Sequence, residues 1–404
     1  MRIFRNDYDI IQGRKSILIP FAIVTFFSFW VICMPDSTLY SGNASSVRKM
    51  LTYMIMFIFP VVAIRTKGLI DKKHIPICFI PFIYWSITTF HVYQDAYPLN
   101  ITGVIICSFF LLLNGNYKAS LYVLMKRLLL LLSIFGILSY ILYLGGMSPI
   151  QRVDYYGEKL GGYYYNYLLS VLYVKDGTAR LCSLFNEPGY FGTITAILLC
   201  VEKIRLRKKE NIIFLLSGML TFSLGFYFTL ILYYIFENLR SPSKIILFLF
   251  LAILYLYVLP SFHTGIDGID TILERIQISD GKINGDNRSN EYLDYILATT
   301  FIGDSYLWGM GRGYCEAMGV LSVSSYKTYL VEYGILGFCL LYIYYIIVAC
   351  RCAKGNRDAL LLVLIFFINI YQRPNVFNMI YYMMLFGGIS YLKRQAQIKC
   401  KNLM

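Results

Sequence analysis

Three arginines, Arg180, Arg275 and Arg288, and two glutamates, Glu187 and Glu332, stand in or beside stretches that are otherwise rich in apolar residues. A guanidinium presents a planar fork of donors and keeps its charge at any physiological pH, so it suits a phosphate or diphosphate. Together the arginines mark a candidate anion site; the plainer reading of each alone is a loop salt bridge or a lipid-headgroup contact. Glu187 precedes Pro188 and an apolar run, which predicts a helix start with an acid near the positive end of the helix dipole. That position suits a cap as well as a general base or a positioning group. Glu332 falls about a turn into another apolar run, Tyr329-Leu-Val-Glu-Tyr-Gly-Ile-Leu-Gly337, where an ionisable group is costly and functional by default. Its structural alternative is a pairing with Lys327 or with an arginine of the neighbouring loop. The run Gly309-Met-Gly311-Arg-Gly313 lacks the spacing and the strand-to-helix setting of a dinucleotide fingerprint. Its glycines would let the backbone come close to a ligand or to another segment.

These residues need a frame, and the composition says which kind. Charged residues make up only 15% of the 404 residues and hydrophobic ones 58%. A soluble domain carries about 25% charged residues, so a soluble globular enzyme and a disordered chain are both excluded. Apolar runs occupy residues 16–34, 50–64, 75–90, 99–113, 128–144, 189–201, 212–221, 224–236, 245–260, 329–350, 359–371 and 376–392. A membrane-crossing helix needs about 20 such residues, and the expectation is an all-α polytopic membrane protein of about 12 transmembrane helices. Residues 1–404 then form a single membrane domain, and the first run is an uncleaved anchor rather than a signal peptide. The stretch 212–236 is read as two short helices meeting near Ser223-Leu-Gly225. On that count, 25 of the 37 Lys and Arg fall on one side with seven acids, leaving the acidic excess on the other. The positive-inside rule then puts both termini in the cytoplasm. The net charge of +14 is accordingly a topology signal and not a sign of nucleic-acid binding.

Two outer loops are long, 145–188 and 261–328. Long loops in a compact protein are usually functional or disordered. The second has apolar residues three to four apart in Thr271–Ile278 and Asn290–Thr299, which predicts short amphipathic helices on the membrane. The expected site is a cavity at the outer surface, roofed by the two loops. Only Cys182 and Cys315 among the ten cysteines lie in these loops, and a disulfide between them is one option that sequence cannot decide. No metal-ligand spacing, phosphate-binding loop or Asp-rich motif occurs, which disfavours ATP-driven and metal-dependent chemistry; the expectation is no metal and no cofactor. The 37 tyrosines suit membrane interfaces, sugar stacking or core, with core and interface as the default.

Four stretches resemble the bacterial O-antigen polymerase (Wzy) family, within the wider O-antigen ligase/polymerase superfamily. Arg180…Phe185-Asn-Glu187-Pro188-Gly189 looks like its R…F-x-E-P stretch, and Thr221-Phe-Ser223-Leu-Gly225 like its interrupted hydrophobic pair. Glu274-Arg275 and Arg288, followed by Trp308-Gly-Met-Gly-Arg-Gly313, look like the R…G-x-G pattern of the large outer loop. Glu332-Tyr-Gly334-Ile-Leu-Gly337 looks like the family's E-x-G-[IL]-[IL]-G. The resemblance covers about residues 180–340. Ligases of the superfamily usually carry a histidine just before this last helix, whereas Ser324-Ser-Tyr-Lys327-Thr stands here and no histidine follows His263.

The resemblance implies glycosyl transfer at the outer face of the bacterial inner membrane, from a growing glycan on undecaprenyl diphosphate to a repeat unit on the same lipid. Membrane lipids would surround it, and a chain-length-regulating partner is left open. Arg180 and Arg288 would hold the diphosphate and stabilise the leaving group, with Arg275 behind them. Glu187 would act as base or acceptor-positioner, Glu332 would orient an arginine, and Gly309 and Gly311 would approach the substrate. The alternatives are an O-antigen ligase and, in another class, a polysaccharide or lipid transporter.

Overall fold

The computed structural model describes residues 68–94, 101–154, 162–167, 170–175, 178–185, 187–239, 241–257, 265, 270, 273, 278–279, 282–283, 291–320, 325–371 and 373–401. The first two expected spans, 16–34 and 50–64, lie outside them. Mostly helical as expected, the chain runs through α1 (Ile75–Phe90), α2 (Ile101–Leu112), α3 (Gly115–Leu144), α4 (Pro188–Val201), α5 (Lys209–Met219), α6 (Leu224–Glu237) and α7 (Pro242–Tyr257). It continues through α8 (Glu291–Ile302), α9 (Tyr314–Ala317), α10 (Tyr326–Ala353), α11 (Arg357–Ile368), α12 (Met379–Tyr382) and α13 (Gly388–Lys401). Among the described residues two helices, α3 and α10, are long and apolar enough to cross a membrane. Each carries an exposed apolar stripe at helical spacing: Leu131, Ile134, Leu138 and Ile141 on α3, and Leu336, Leu340, Ile343 and Ile347 on α10. Water would penalise such stripes, whereas lipid chains would not.

The helix starts follow from local chemistry. Asn356 Oδ1 accepts from Ala359 N at 2.9 Å to begin α11, and Ser325 Oγ accepts from Lys327 N at 3.3 Å to begin α10. Pro188 opens α4, where its missing N–H has no helical partner to lose. Contacts divide the chain into two compact units, one over residues 123–286 and the other over 50–122 and 287–404, apart from N-terminal pieces.

In the first unit the expected outer loop 145–188 is not irregular. It holds a four-stranded antiparallel sheet in the order β1 (Gln151–Asp154), β2 (Tyr163–Asn166), β3 (Val171–Lys175), β4 (Thr178–Ser183), a correction to the loop reading within a mostly helical chain. These strands are too short to register as membrane-length apolar runs; β2 alternates with period two, Tyr164 and Asn166 facing inward while Tyr163 and Tyr165 do not, and β3 is buried along Val171–Val174. Tyr164, Val171, Tyr173 and Cys182 form the packed face. The sheet is anchored to α3, where Tyr140 OH donates to Ala179 O at 3.2 Å and Leu181 lies over Gly136 so closely that a Cβ there would stand 2.9 Å from its methyls.

A second correction concerns α3, which begins 13 residues before the expected span and so takes Lys118, Lys126 and Arg127 into the helix. Lys126 is 2% exposed; its Nζ lies 3.2 Å from Glu202 Oε1 and 3.4 Å from Glu210 Oε2, and Lys208 reaches the same Glu202 at 2.6 Å. With its charge matched, the lysine does not end the helix. The network joins α3 to the end of α4 and the start of α5.

The second unit packs α1 against α2 and α10. Tyr345 of α10 is fully buried among Phe366, Phe367, Phe377, Tyr382 and Phe386, so these aromatic rings serve as core. Helix α8 matches the amphipathic segment expected over Asn290–Thr299. Its Leu293 and Ile296 pack with Cys315, Val320 and Val331. The partner segment Thr271–Ile278 lies largely outside the described residues.

Removing one member of the buried ion network leaves the others uncompensated, so Lys126→Met should cost about 3–5 kcal/mol of stability. Thermal melts of the purified protein in detergent check this against Lys244→Met, an exposed lysine expected to change little.

Candidate functional site

The residues proposed from sequence fall into three groups. Gly309, Gly311 and Glu332 are brought together in the second unit, Arg180 and Glu187 lie in the first, and Arg275 and Arg288 lie outside the described residues.

The second-unit group is built on an interrupted helix. Gly334, inside α10, adopts φ 63° and ψ −174°, which breaks the helical hydrogen-bond ladder two residues after Glu332. The glycine run fills the break. Met310 N donates to Val331 O at 2.8 Å, Gly311 N to Glu332 O at 2.9 Å, and Leu336 N to Leu307 O at 3.1 Å. On its other side the same run pairs with the end of α1: Arg312 N donates to His91 O at 3.0 Å and Tyr93 N to Arg312 O at 2.9 Å. The run is therefore a non-helical segment held between the end of α1 and the break in α10.

This arrangement accounts for the glycines. Gly309, Gly311 and Gly313 all have positive φ, between 76° and 93°. A Cβ on Gly309 would stand 2.5 Å from the Glu332 carbonyl, and one on Gly311 would stand 2.8 Å from Tyr93 N. The close approach read from sequence is thus made to other backbone. The Glu332 carboxylate turns back on the run, with Gly313 N donating to its Oε1 at 3.0 Å. Lys327, the partner weighed for it, instead pairs with Asp294 of α8 at 2.5 Å.

Two residues join this group that the sequence reading did not propose. Arg312 lies within electrostatic range of Glu332, and its Nη1 is buried with no hydrogen-bond partner among the described residues. His91, the residue after α1, has its Nε2 buried in the same condition. Arg312 was legible inside the glycine run. His91 was not, because its link to the run spans more than 200 residues. Nearby, burial pushes the Cys315 thiol up to about 12, with the Glu332 charge adding to the effect, so Cys315 serves as packing and not as a nucleophile.

In the first unit Arg180 projects from β4 to the junction of α5 and α6. Its Nε donates to Thr221 O at 3.0 Å and its Nη2 to Phe222 O at 3.1 Å, while Leu181 N donates to Leu220 O at 2.8 Å. The expected pair of short helices around Ser223 is present, and Phe222 takes φ 45° between them. Arg180 thus sits at the carbonyl-rich end of α5, where a cation is favoured. Gly192 of α4 lies against the same junction: a Cβ there would meet Thr221 Oγ1 at 2.7 Å. Glu187 is the N-cap residue of α4 as the sequence predicted, in extended conformation, and its side chain makes no capping hydrogen bond. Cys182 and Cys315 are both free and buried, so the disulfide option is not taken up.

No family model matches the chain, and neither a curated protein nor a solved structure matches it.

Gly309→Ala and Gly311→Ala should each destabilise the protein well beyond Gly319→Ala, which shares the positive φ but has open space around it. The control carries only the conformational cost of about 1–2 kcal/mol; detergent melts of the three variants check the order. Arg180→Ala leaves two carbonyls without their donor and should cost about 1–3 kcal/mol. Arg180→Lys, lacking the planar fork, should recover only part of that loss in the same assay.

Proposed function

We propose that the chain is a surface-polysaccharide polymerase of the O-antigen polymerase type, a multi-pass protein of the bacterial inner membrane. It would move a growing glycan from undecaprenyl diphosphate to a lipid-linked repeat unit at the outer face. An acceptor sugar hydroxyl attacks the anomeric carbon of the donor glycan, the bond to the diphosphate oxygen breaks, and undecaprenyl diphosphate leaves. The hydroxyl proton passes to a base, for which Glu187 is the first candidate.

The observation that carries this reading is the position of the stretches that resemble the family. Glu332-x-Gly334 forms a break within an apolar helix, and the Gly309–Gly313 run fills it. Arg180 and Glu187 flank the entry to α4. The described parts of these stretches therefore fall where helices start, stop or break, which is where polar groups can be held at an apolar surface. Arg288 and Arg180 would grip the diphosphate, with Arg275 in support. The stability role of Arg180 limits what its alanine variant can report, so Arg288 is the better probe.

A second reading, a transporter, draws on one feature: discontinuous membrane helices also build transport sites, and α10 is interrupted at Gly334.

The test is a gel of surface glycan from a deletion strain with and without the gene restored. Single-repeat glycan on lipid A–core, with the ladder returning on complementation, is the expected result. Loss of all glycan from lipid A–core with polymer on undecaprenyl diphosphate would assign a ligase, and an unchanged ladder would favour the transporter. In the complemented strain, Arg288→Ala and Glu332→Gln should abolish the ladder at normal membrane level. A normal ladder in both would remove these residues from the site.

A further inference from the structure

A second polar cluster lies in the second unit, away from the glycine run in sequence and unused by the proposed transfer. A cavity of about 220 Å³ opens at the N-terminal turn of α3. Its wall includes Lys118 and Asn116 of that turn, His74 just before α1, and Ser390, Lys393 and Arg394 of α13. Three cations thus face it, against the single carboxylate of Asp71. That carboxylate is already engaged, accepting from Lys73 N at 3.0 Å.

Lys118 is the informative residue. It is 1% exposed, and among the described residues no carboxylate lies within ion-pair distance of it. Its Nζ stands 3.1 Å from His74 Nδ1, and the same Nδ1 stands 2.9 Å from Leu113 O. One ring nitrogen cannot serve both contacts. If Nδ1 carries a proton, it donates to Leu113 O and offers the ammonium nothing; if it does not, it faces the carbonyl as a second acceptor. Burial, then the Lys118 charge, hold His74 below its usual range, so the imidazole is neutral and adds no competing charge. Asp71 lies within electrostatic range of Lys118 but does not pair with it, and a buried ammonium with no anion in contact is costly. The first turn of a long helix adds its own positive potential at the same place.

We propose that this cavity binds a phosphate group, with Lys118 and Lys393 as its cationic contacts and the Ser390 hydroxyl and Asn116 side chain on its wall. The volume is below the about 300–1,000 Å³ of pockets that enclose a drug-sized ligand, which suits a headgroup phosphate or a free phosphate rather than a nucleotide. The cations belong to the basic clusters that the charge pattern puts on the cytoplasmic side, where anionic headgroups are recognised between membrane helices. This site does not depend on the transfer reaction proposed above.

The test uses the full-length protein in dodecyl maltoside at constant ionic strength, titrated in parallel with sodium phosphate and with phosphatidylglycerol, against sodium chloride and phosphatidylcholine. A rise in melting temperature with phosphate assigns a free anion, and a rise with phosphatidylglycerol alone assigns a headgroup; both support the site. Lys118→Met should weaken the titrated affinity by about tenfold or more, the worth of one charge-assisted hydrogen bond. Lys393→Met, at a half-buried position on the cavity wall, should weaken it as well and decides the matter if Lys118→Met does not fold. No rise with either anion, or a rise that Lys393→Met leaves unchanged, overturns the proposal.

Discussion

A helix broken in apolar surroundings exposes N–H and carbonyl groups that water cannot reach, and another segment must satisfy them. Much of the described structure answers that requirement. At Gly334 the answer is a non-helical stretch of chain, whose own N–H groups meet the carbonyls of Val331 and Glu332. At the junction of α5 and α6 it is a side chain, Arg180, together with the N–H of Leu181. Both solutions come from loops that the hydropathy pattern places outside the membrane. The loops are thus joined to the helices by backbone chemistry, and Arg180, Gly311 and Glu332 among the candidate residues take part in the joints.

The same constraint explains where charge is tolerated. Lys126 sits within a 30-residue helix because Glu202 and Glu210 are delivered to it from the turn after α4 and the start of α5. Lys118, earlier in the same helix, has an imidazole as its hydrogen-bonding neighbour among the described residues and a cavity beside it. Two lysines in one helix therefore differ in kind. One completes an internal network, whereas the other faces a space that its charge makes favourable for an anion.

Glycine usage separates in a similar way. Gly309, Gly311 and Gly334 combine positive φ with backbone neighbours at less than ordinary contact distance, so both the torsion and the missing Cβ are needed. Gly319 and Gly355 need only the torsion. The proposed glycosyl transfer uses the first kind as part of a rigid frame beneath Glu332 and Arg312. That frame positions charges without itself being part of the chemistry.

Much of the helical frame was legible in the chain alone. Long apolar runs bounded by charge predict α1 to residues 75–90 as observed, and Glu187-Pro188 predicts the start of α4, because helix entry depends on the few residues at the cap. The glycine run and the Ser223 break were also visible as local departures from apolar monotony. The sheet in 145–188 was not, since strands of four to six residues leave too weak an apolar signal and acquire meaning only from their partners across the sheet. The extent of α3 was hidden because its lysines look like a loop until their acids are found elsewhere in the chain. His91 and the Lys118 cavity belong wholly to the tertiary level: each depends on residues far apart in sequence, and no local spacing encodes such an encounter.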